Sequence, residues 1–286
     1  MENVINYATL FAPLMDELYK QEAKTSILEG DETTVLKGAH GEIKVAKIDM
    51  DALGDYDRKS GYTKGGTKFA WETVKYDKER SQELNIDRMD NEEALEMPAS
   101  KLLSEFIRTK VIPETDAARI AKICGTAGIT VKEEKLADGA AVVKALRAAS
   151  DKMDNDEVPE ESRILFIVGS YLSLIEDMDT TKSKKILDKF STIIKMPQSR
   201  MYTQITLADG KTEYGYKKTP TTGKNVNFVV IEKSAAVSAM EQWIKYFSPD
   251  ENQNGDSHKW DYRNNNLYAH VYENKLAGVY CSHDSE

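Results

Sequence analysis

The sequence predicts an α+β fold in which a mixed body carries two projecting parts, an N-terminal arm and an extended β-hairpin. Three observations lead there. A β-alternating region at 42–90 is interrupted by a charged, glycine-rich stretch, which marks a long hairpin with a solvated tip. The run from Leu102 to Cys124 keeps helical apolar spacing. Beyond residue 130, helical patterns and apolar strands are interspersed, the texture of a body with its own core.

Bulk properties narrow the function. The 286 residues suffice for one large domain or two modest ones. A net charge of −9 argues against a dedicated nucleic-acid reader, whose affinity comes from neutralising phosphates. It is compatible with a wall that encloses DNA without gripping it. No window approaches the ~18 apolar residues of a membrane span, so none is expected. The opening MENVINYATLFAPLMDELYK lacks the basic lead-in and small-residue cleavage site of a secretory signal. Cys124 and Cys281 lie far apart in sequence without metal-ligand spacing, and read as buried or incidental thiols of a reducing compartment.

Residues 1–38 form the arm. Val4, Ile5, Leu10, Phe11, Leu14, Met15 and Leu18 give a short amphipathic pattern that Pro13 interrupts, and so short a helix must dock on something. Residues 42–90 read as a long β-hairpin. IKVAKI is one arm, and KFAWETVKY followed by QELNID is the return. Phe69 and Trp71 share one face, whereas Val74, Tyr76, Leu84 and Ile86 have the other parity, so a bulge or strong twist is expected near Thr73. The tip, GDYDRKSGYTKGGTK, contains Arg58, Lys59 and Lys64.

Residues 91–130 hold a long helix. Asp90 with Glu93 comes close to a capping box, and Pro98 suits a first turn. Leu102, Leu103, Phe106, Ile107 and Val111 make the apolar stripe that Ala117, Ile120, Ala121 and Cys124 resume. Pro113 predicts a kink or break, because its ring meets the carbonyl of Thr109; Gly125 and Gly128 end the run. Residues 131–250 begin with a helix at 139–152 that turns Val142, Val143 and Leu146 inward. The buried strand RILFIV follows, then the helix YLSLIEDM capped by Ser170, and a lysine-rich stretch. A hairpin within MYTQITLADGKTEYGY, the strand NFVVI and a helix SAAVSAMEQWIKYF complete this part. Residues 251–275 are expected as two alternating runs turning at Asn264–Asn266, and 276–286 as a last short strand.

Chemical motifs are weak. Asp250, Asn252, Asn254 and Gly255 match the opening of a calcium loop, with Asp256, His258 and Asp261 at later offsets. Position twelve is Asp261 where a bidentate glutamate belongs, and strand-like HKWDYR follows, so a polar turn is the better reading. His258 and His270 are expected to face each other across the terminal hairpin as a plain cross-strand pair. Asp55/Asp57 and Asp154/Asp156 read as solvated acids. Gly65–Gly66 and Gly169–Ser170 fit neither a phosphate loop nor a nucleophile elbow. Lys182, Lys184, Lys185 and Lys189 read as a solvated helix face. The aromatic stripe Trp260, Tyr262, Tyr268 and Tyr272 reads as sheet core or a subunit contact. No catalytic residue, cofactor or metal is expected.

An isolated two-stranded hairpin is marginal in water, and this one has Phe69, Trp71 and Tyr76 to cover. A body of about 150 residues cannot shelter both hairpin and arm. Neighbouring copies can supply the missing burial, and repetition around a ring closes the contacts. That reasoning yields a self-assembling lattice protein.

The residues also carry a resemblance. FAWETVKYDKERSQELNIDRMDNEEA resembles the return strand of the extended loop in coat proteins of tailed phages of Gram-positive hosts. EFIRTKVIPETDAARIAK resembles the spine helix of that family, interior proline included. VPEESRILFIV, NFVVIEKSAAVSAM and ENKLAGVY are similar too, in the same order. The similarity covers most of the chain from about 40 to 281, and its weight lies in the order and spacing of the motifs. It implies the Hong Kong 97-type coat fold. The parts would be an arm (1–38), an extended loop (39–90), a peripheral domain with its spine helix (91–130) and strands (251–275), and an axial domain (131–250) completed by the last strand (276–286). It implies a major capsid protein of a tailed bacteriophage that assembles into hexamers and pentamers of an icosahedral virion shell. The shell would enclose double-stranded DNA without sequence-specific binding, be assembled in the bacterial host cytoplasm, and involve portal and scaffolding proteins but no membrane. The intersubunit candidates are then Arg58, Lys59, Lys64, Phe69, Trp71 and Tyr76. Some relatives cross-link an extended-loop lysine to a neighbour's asparagine; Lys59, Lys64 and Lys68 are available, but the sequence identifies no acidic catalyst, and no cross-link is expected. The alternatives are an encapsulin-like nanocompartment shell, a calcium-dependent binding module at Asp250 and, weakest, a hydrolase.

Overall fold

The computed structural model describes residues 23–30, 35–37, 42–59, 61–62, 64–89, 99–178, 185–253 and 255–285. The strands along the chain are β1 (Val35–Lys37), β2 (Glu42–Met50), β3 (Thr67–Lys75), β4 (Lys78–Asp87), β5 (Thr130–Glu133), β6 (Arg163–Val168) and β7 (Thr192–Met196). They continue as β8 (Ile205–Leu207), β9 (Tyr216–Lys218), β10 (Val226–Glu232), β11 (Ala236–Phe247), β12 (Ser257–Val271) and β13 (Val279–His283). The helices are α1 (Ala99–Phe106), α2 (Ile112–Cys124), α3 (Gly139–Asn155) and α4 (Gly169–Glu176). The amphipathic pattern of 4–18, the capping pair Asp90/Glu93, Pro98, Lys182 and Lys184 lie outside the described residues.

RILFIV, now β6, is buried along its whole length. Side chains alternate across a strand, so β6 feeds two cores at once. Ile164, Phe166 and Val168 pack with Ile120, Ile123 and Cys124 of α2. Leu165 and Ile167 pack with Val142, Val143 and Leu146 of α3 and Ile175 of α4. The sheet between these layers has the order β5-β13-β10-β6-β7. Asp138 caps α3, accepting the Ala141 N–H at 2.7 Å. The α4 helix begins at Gly169 without a side-chain cap, so Ser170 lies inside the helix and does not cap it.

At the C-terminal end of α3, Glu157 is exposed and has φ 57. A left-handed residue just past a helix is a position that glycine fills without strain. Glu157→Gly should therefore raise unfolding free energy by about 0.5–1 kcal/mol in a denaturant titration.

A second sheet has the order β11-β12-β4. It corrects four expectations. The segment Ala236–Phe247 is a strand and not a helix; Val237, Met240 and Ile244 fit helical spacing, but in the strand paired with β12 from Ala236↔Val271 to Phe247↔Lys259 only Met240 and Ile244 share a face, and Val237 packs on the other. β12 runs straight through Asn264–Asn266 with no turn, and the boundary expected at residue 250 falls inside this sheet. Finally, β4 does not extend the hairpin return: it pairs with β12 from Ser257↔Asp87 to Asn266↔Lys78.

Pro113 does not break the long helix. A π turn, Ile107–Val111, joins α1 to α2, and the Ile112 N–H donates to Ile107 O. A wider turn accommodates the proline ring and its missing N–H without a break. The resulting spine spans both cores. Leu103, Ile107, Val111 and Ile112 pack on Ile244, Trp260 and Tyr262 of the three-stranded sheet, whereas Ile120 and Ile123 pack on the five-stranded one.

Candidate assembly interface

The hairpin is regular where a bulge was expected. β2 and β3 pair without a register shift from Glu42↔Lys75 to Met50↔Thr67, and β1 adds to the outer side of β2. Val74 therefore lies on the opposite face of β3 from Trp71 by plain alternation, and the chain passes from β3 to β4 at Tyr76–Asp77. Asp77 fixes that passage. Its N–H donates to Asn266 O at 2.8 Å, while its carboxylate accepts the Tyr268 N–H at 3.0 Å and pairs with Lys122 at 2.7 Å.

The far end closes on itself. The Asp51 N–H donates to Gly66 O at 3.1 Å and the Gly66 N–H to Asp51 Oδ2 at 2.8 Å. Gly61, at φ 85, donates to Asp57 O at 2.7 Å, a turn that suits glycine. Apolar side chains cluster at this solvated tip. Leu53 is 103% exposed, Tyr62 88%, Met50 68% and Tyr56 60%. Tyr56 and Tyr62 meet edge to face with centroids 5.2 Å apart. Arg58, Lys59 and Lys64 are exposed among them.

The other intersubunit candidates separate from this group. Trp71 lies further down β3 and is 38% exposed. Tyr76 is half-buried at the hairpin base, packed with Val74 against Val237 and Leu267 of its own chain. Burial and the neighbouring Glu241 carboxylate push its phenol well above its ordinary range. The side chain of Phe69 lies outside the described residues. Sequence reasoning took the tip for plain solvated loop and so passed over Met50, Leu53, Tyr56 and Tyr62. Apolar residues inside a charged, glycine-rich stretch were the available signal.

In the spine, Leu103 and Ile107 are fully buried and Val111 nearly so, while the half-buried Phe106 meets Tyr262 edge to face at 5.6 Å. Leu102's side chain lies outside the described residues. Trp243 is a further exposed aromatic, on the outward face of β11, with the Arg263 guanidinium 5.5 Å from its ring. Reading 234–247 as a helix hid this face.

The remaining chemical candidates find plain partners. The Arg88 guanidinium approaches Asp250 and Asp256 at 3.8 and 3.7 Å, and the Asn252 amide donates to Ser257 O and Oγ, so a cation already faces the acids of the calcium-like turn. Asn254 lies outside the described residues. Among the described residues no group of three or more His, Cys, Asp or Glu could hold a metal. His258 and His270 do not face each other, because they sit on the same strand: His258 bonds the Tyr246 hydroxyl at 2.7 Å and His270 approaches Glu72 at 3.7 Å. Asp154 pairs with the buried Arg163 at 2.7 Å and Asp156 with Lys152 at 2.5 Å. Trp260, Tyr262 and Tyr268 are buried within the subunit. Cys124 and Cys281, distant in sequence, meet as free thiols in the core. Their mutual contact and burial push the Cys124 thiol well up, which keeps it protonated and unreactive. Among the described residues no helix is long and apolar enough to cross a membrane.

No family model matches the sequence. No curated protein matches it either. Solved structures do. The capsid of cyanophage P-SCSP1u superposes with a TM-score of 0.56 at 13% identity, over 87% of this chain and 84% of that one. The mature capsid of bacteriophage PhiM1 gives 0.57 at 9% identity, over 88% and 84%. The virus-like particle from Pyrococcus furiosus gives 0.61 at 8% identity, over 97% and 100%. At such identities the likeness speaks for the fold, and it spans nearly the whole of each chain. A hairpin that projects from the body, a spine helix shared by two cores and two sheets built in that order give this chain the Hong Kong 97-type coat fold.

Proposed function

We propose that the chain is the major capsid protein of a tailed bacteriophage, forming hexamers and pentamers of an icosahedral shell around double-stranded DNA. The observation that carries this reading is the hairpin tip. A soluble subunit gains nothing from holding Leu53, Tyr62, Met50 and Tyr56 in water on a projecting ribbon, whereas a neighbouring copy that receives them gains their burial. Joined to a coat fold, that surface supports a structural role rather than a catalytic one. In this reading 1–38 is the arm, 39–90 the loop that reaches the neighbour, and Arg58, Lys59, Lys64 and Trp71 line the contact. The net charge of −9 suits a wall that lies beside packaged DNA without gripping it. Assembly in the host cytoplasm, with a scaffolding protein and a portal, completes the proposal.

Electron microscopy of the overexpressed full chain tests it. Closed shells or rings with five- and six-fold clusters are expected, without a covalent ladder on denaturing gels. A protein that stays monomeric at high concentration, with and without a co-expressed scaffold, would sink the reading. Shells that co-purify with one cellular enzyme as cargo would favour a nanocompartment instead.

A further inference from the structure

Two charged residues of α2 are wholly buried, Asp116 and Arg119. Burying such groups is costly unless hydrogen bonds replace the water they lose. Most of the replacement comes from one short stretch, Ala23–Gly30. Asp116 Oδ1 accepts the Thr25 N–H at 3.1 Å and the Thr25 hydroxyl at 2.6 Å. Asp116 Oδ2 accepts the Lys24 N–H at 3.2 Å and Arg200 Nη1 at 3.0 Å. Arg119 Nη1 donates to Thr25 O at 3.3 Å and Thr25 Oγ1 at 3.2 Å, and its Nη2 donates to Glu29 at 2.8 Å. Every polar atom of Thr25 is therefore engaged, and the residue is itself fully buried.

The stretch has little structure of its own. It contains one 3-10 turn, Ser26–Leu28, and such a turn does not persist alone in water. It is placed by what it touches: Ala23 and Leu28 enter the cores, and the Gly30 N–H donates to Ser238 O at 3.0 Å. A buried acid and a buried guanidinium whose hydrogen bonds reach a stretch with so little structure of its own hold that stretch in place as a site holds a peptide.

We infer that Asp116 and Arg119 form a peptide socket, that its ligand is the segment Lys24–Glu29 of the same chain, and that Thr25 is the residue it reads. Arg200 ties the socket to the turn Gln198–Arg200 that precedes β8, so seating the segment links the N-terminal region, the spine and that turn. The socket itself does not depend on the shell reading. Its consequence does: in a shell, it would fix the point from which residues 1–22 start in every copy.

Amide hydrogen exchange on the unassembled full chain tests the socket. Thr25→Val keeps the shape and removes the hydroxyl, and should speed exchange of the Lys24–Glu29 amides by about tenfold or more. Amides of α3, β6 and β10 should keep their rates, and Thr25→Ser should restore the segment's protection. Glu29→Gln, at the partly exposed rim, should give a smaller acceleration of the same amides. Unchanged protection of 24–29 in both Thr25→Val and Glu29→Gln would overturn the inference. So would a Thr25→Val effect spread equally over the whole body. Because no assembly is involved, failure here leaves the shell reading standing, and failed assembly leaves the socket standing.

Discussion

Leu53→Asp should leave the melting temperature of the subunit unchanged and abolish shell formation. Leu53 is 103% exposed, so within one chain the substitution removes no contact; exposed positions of this kind usually change stability by less than about 0.5 kcal/mol. In a neighbour's surface the same leucine would contribute about 1.5–3 kcal/mol of burial. An aspartate there forfeits that and adds the desolvation of a charge. Each 1.4 kcal/mol is about tenfold in association, and a closed ring repeats the loss at every contact. Calorimetry of the dispersed subunit and electron microscopy of the assembled product measure the two halves separately. Shells at the wild-type yield would remove the tip from the interface, and a melting temperature lowered by several degrees would place Leu53 in the subunit's own core. Trp71→Ala is a less clean probe, because that ring is only 38% exposed and its loss also removes contacts within the subunit.

Sequence reading succeeded where local pattern and fold agree. IKVAKI and KFAWETVK read as paired strands, RILFIV as a buried strand, and Leu103 to Cys124 as one apolar stripe, because each pattern has a single interpretation at short range. It failed where the partner lies far along the chain. Nothing in KERSQELNID says that it pairs with Ser257–Asn266 and not with IKVAKI, since register is set by tertiary contact. The segment 236–247 carries both periods, and only the long β12 beside it decides for the strand. Asp116 and Arg119 look in sequence like the solvated face of a helix; the fold buries them because Thr25 and Glu29 come from elsewhere. The acids of the calcium-like turn, read as a polar turn, meet a cation that is just as distant in sequence, since Arg88 arrives from the end of β4.

Leu103→Ala should act in the opposite sense to Leu53→Asp. Leu103 is 1% exposed and packs with Ile107, Val111 and Ile112 of the spine against Ile244, Trp260 and Tyr262 of the three-stranded sheet. Truncating a buried leucine to alanine costs about 2–5 kcal/mol, the lost transfer energy plus the cavity left behind. Against a typical total of about 5–15 kcal/mol, that is a large fraction of the subunit's stability. The denaturant midpoint should fall with the slope of the transition unchanged, because the same surface is exposed on unfolding. Shells should still form at low temperature, since Leu103 lies under the sheet and meets no neighbour. A loss below about 1 kcal/mol would mean that the spine does not hold this sheet in place. The joint result, assembly lost without instability for Leu53 and instability without lost assembly for Leu103, is what a subunit requires when its core is its own and its hairpin belongs to the next copy.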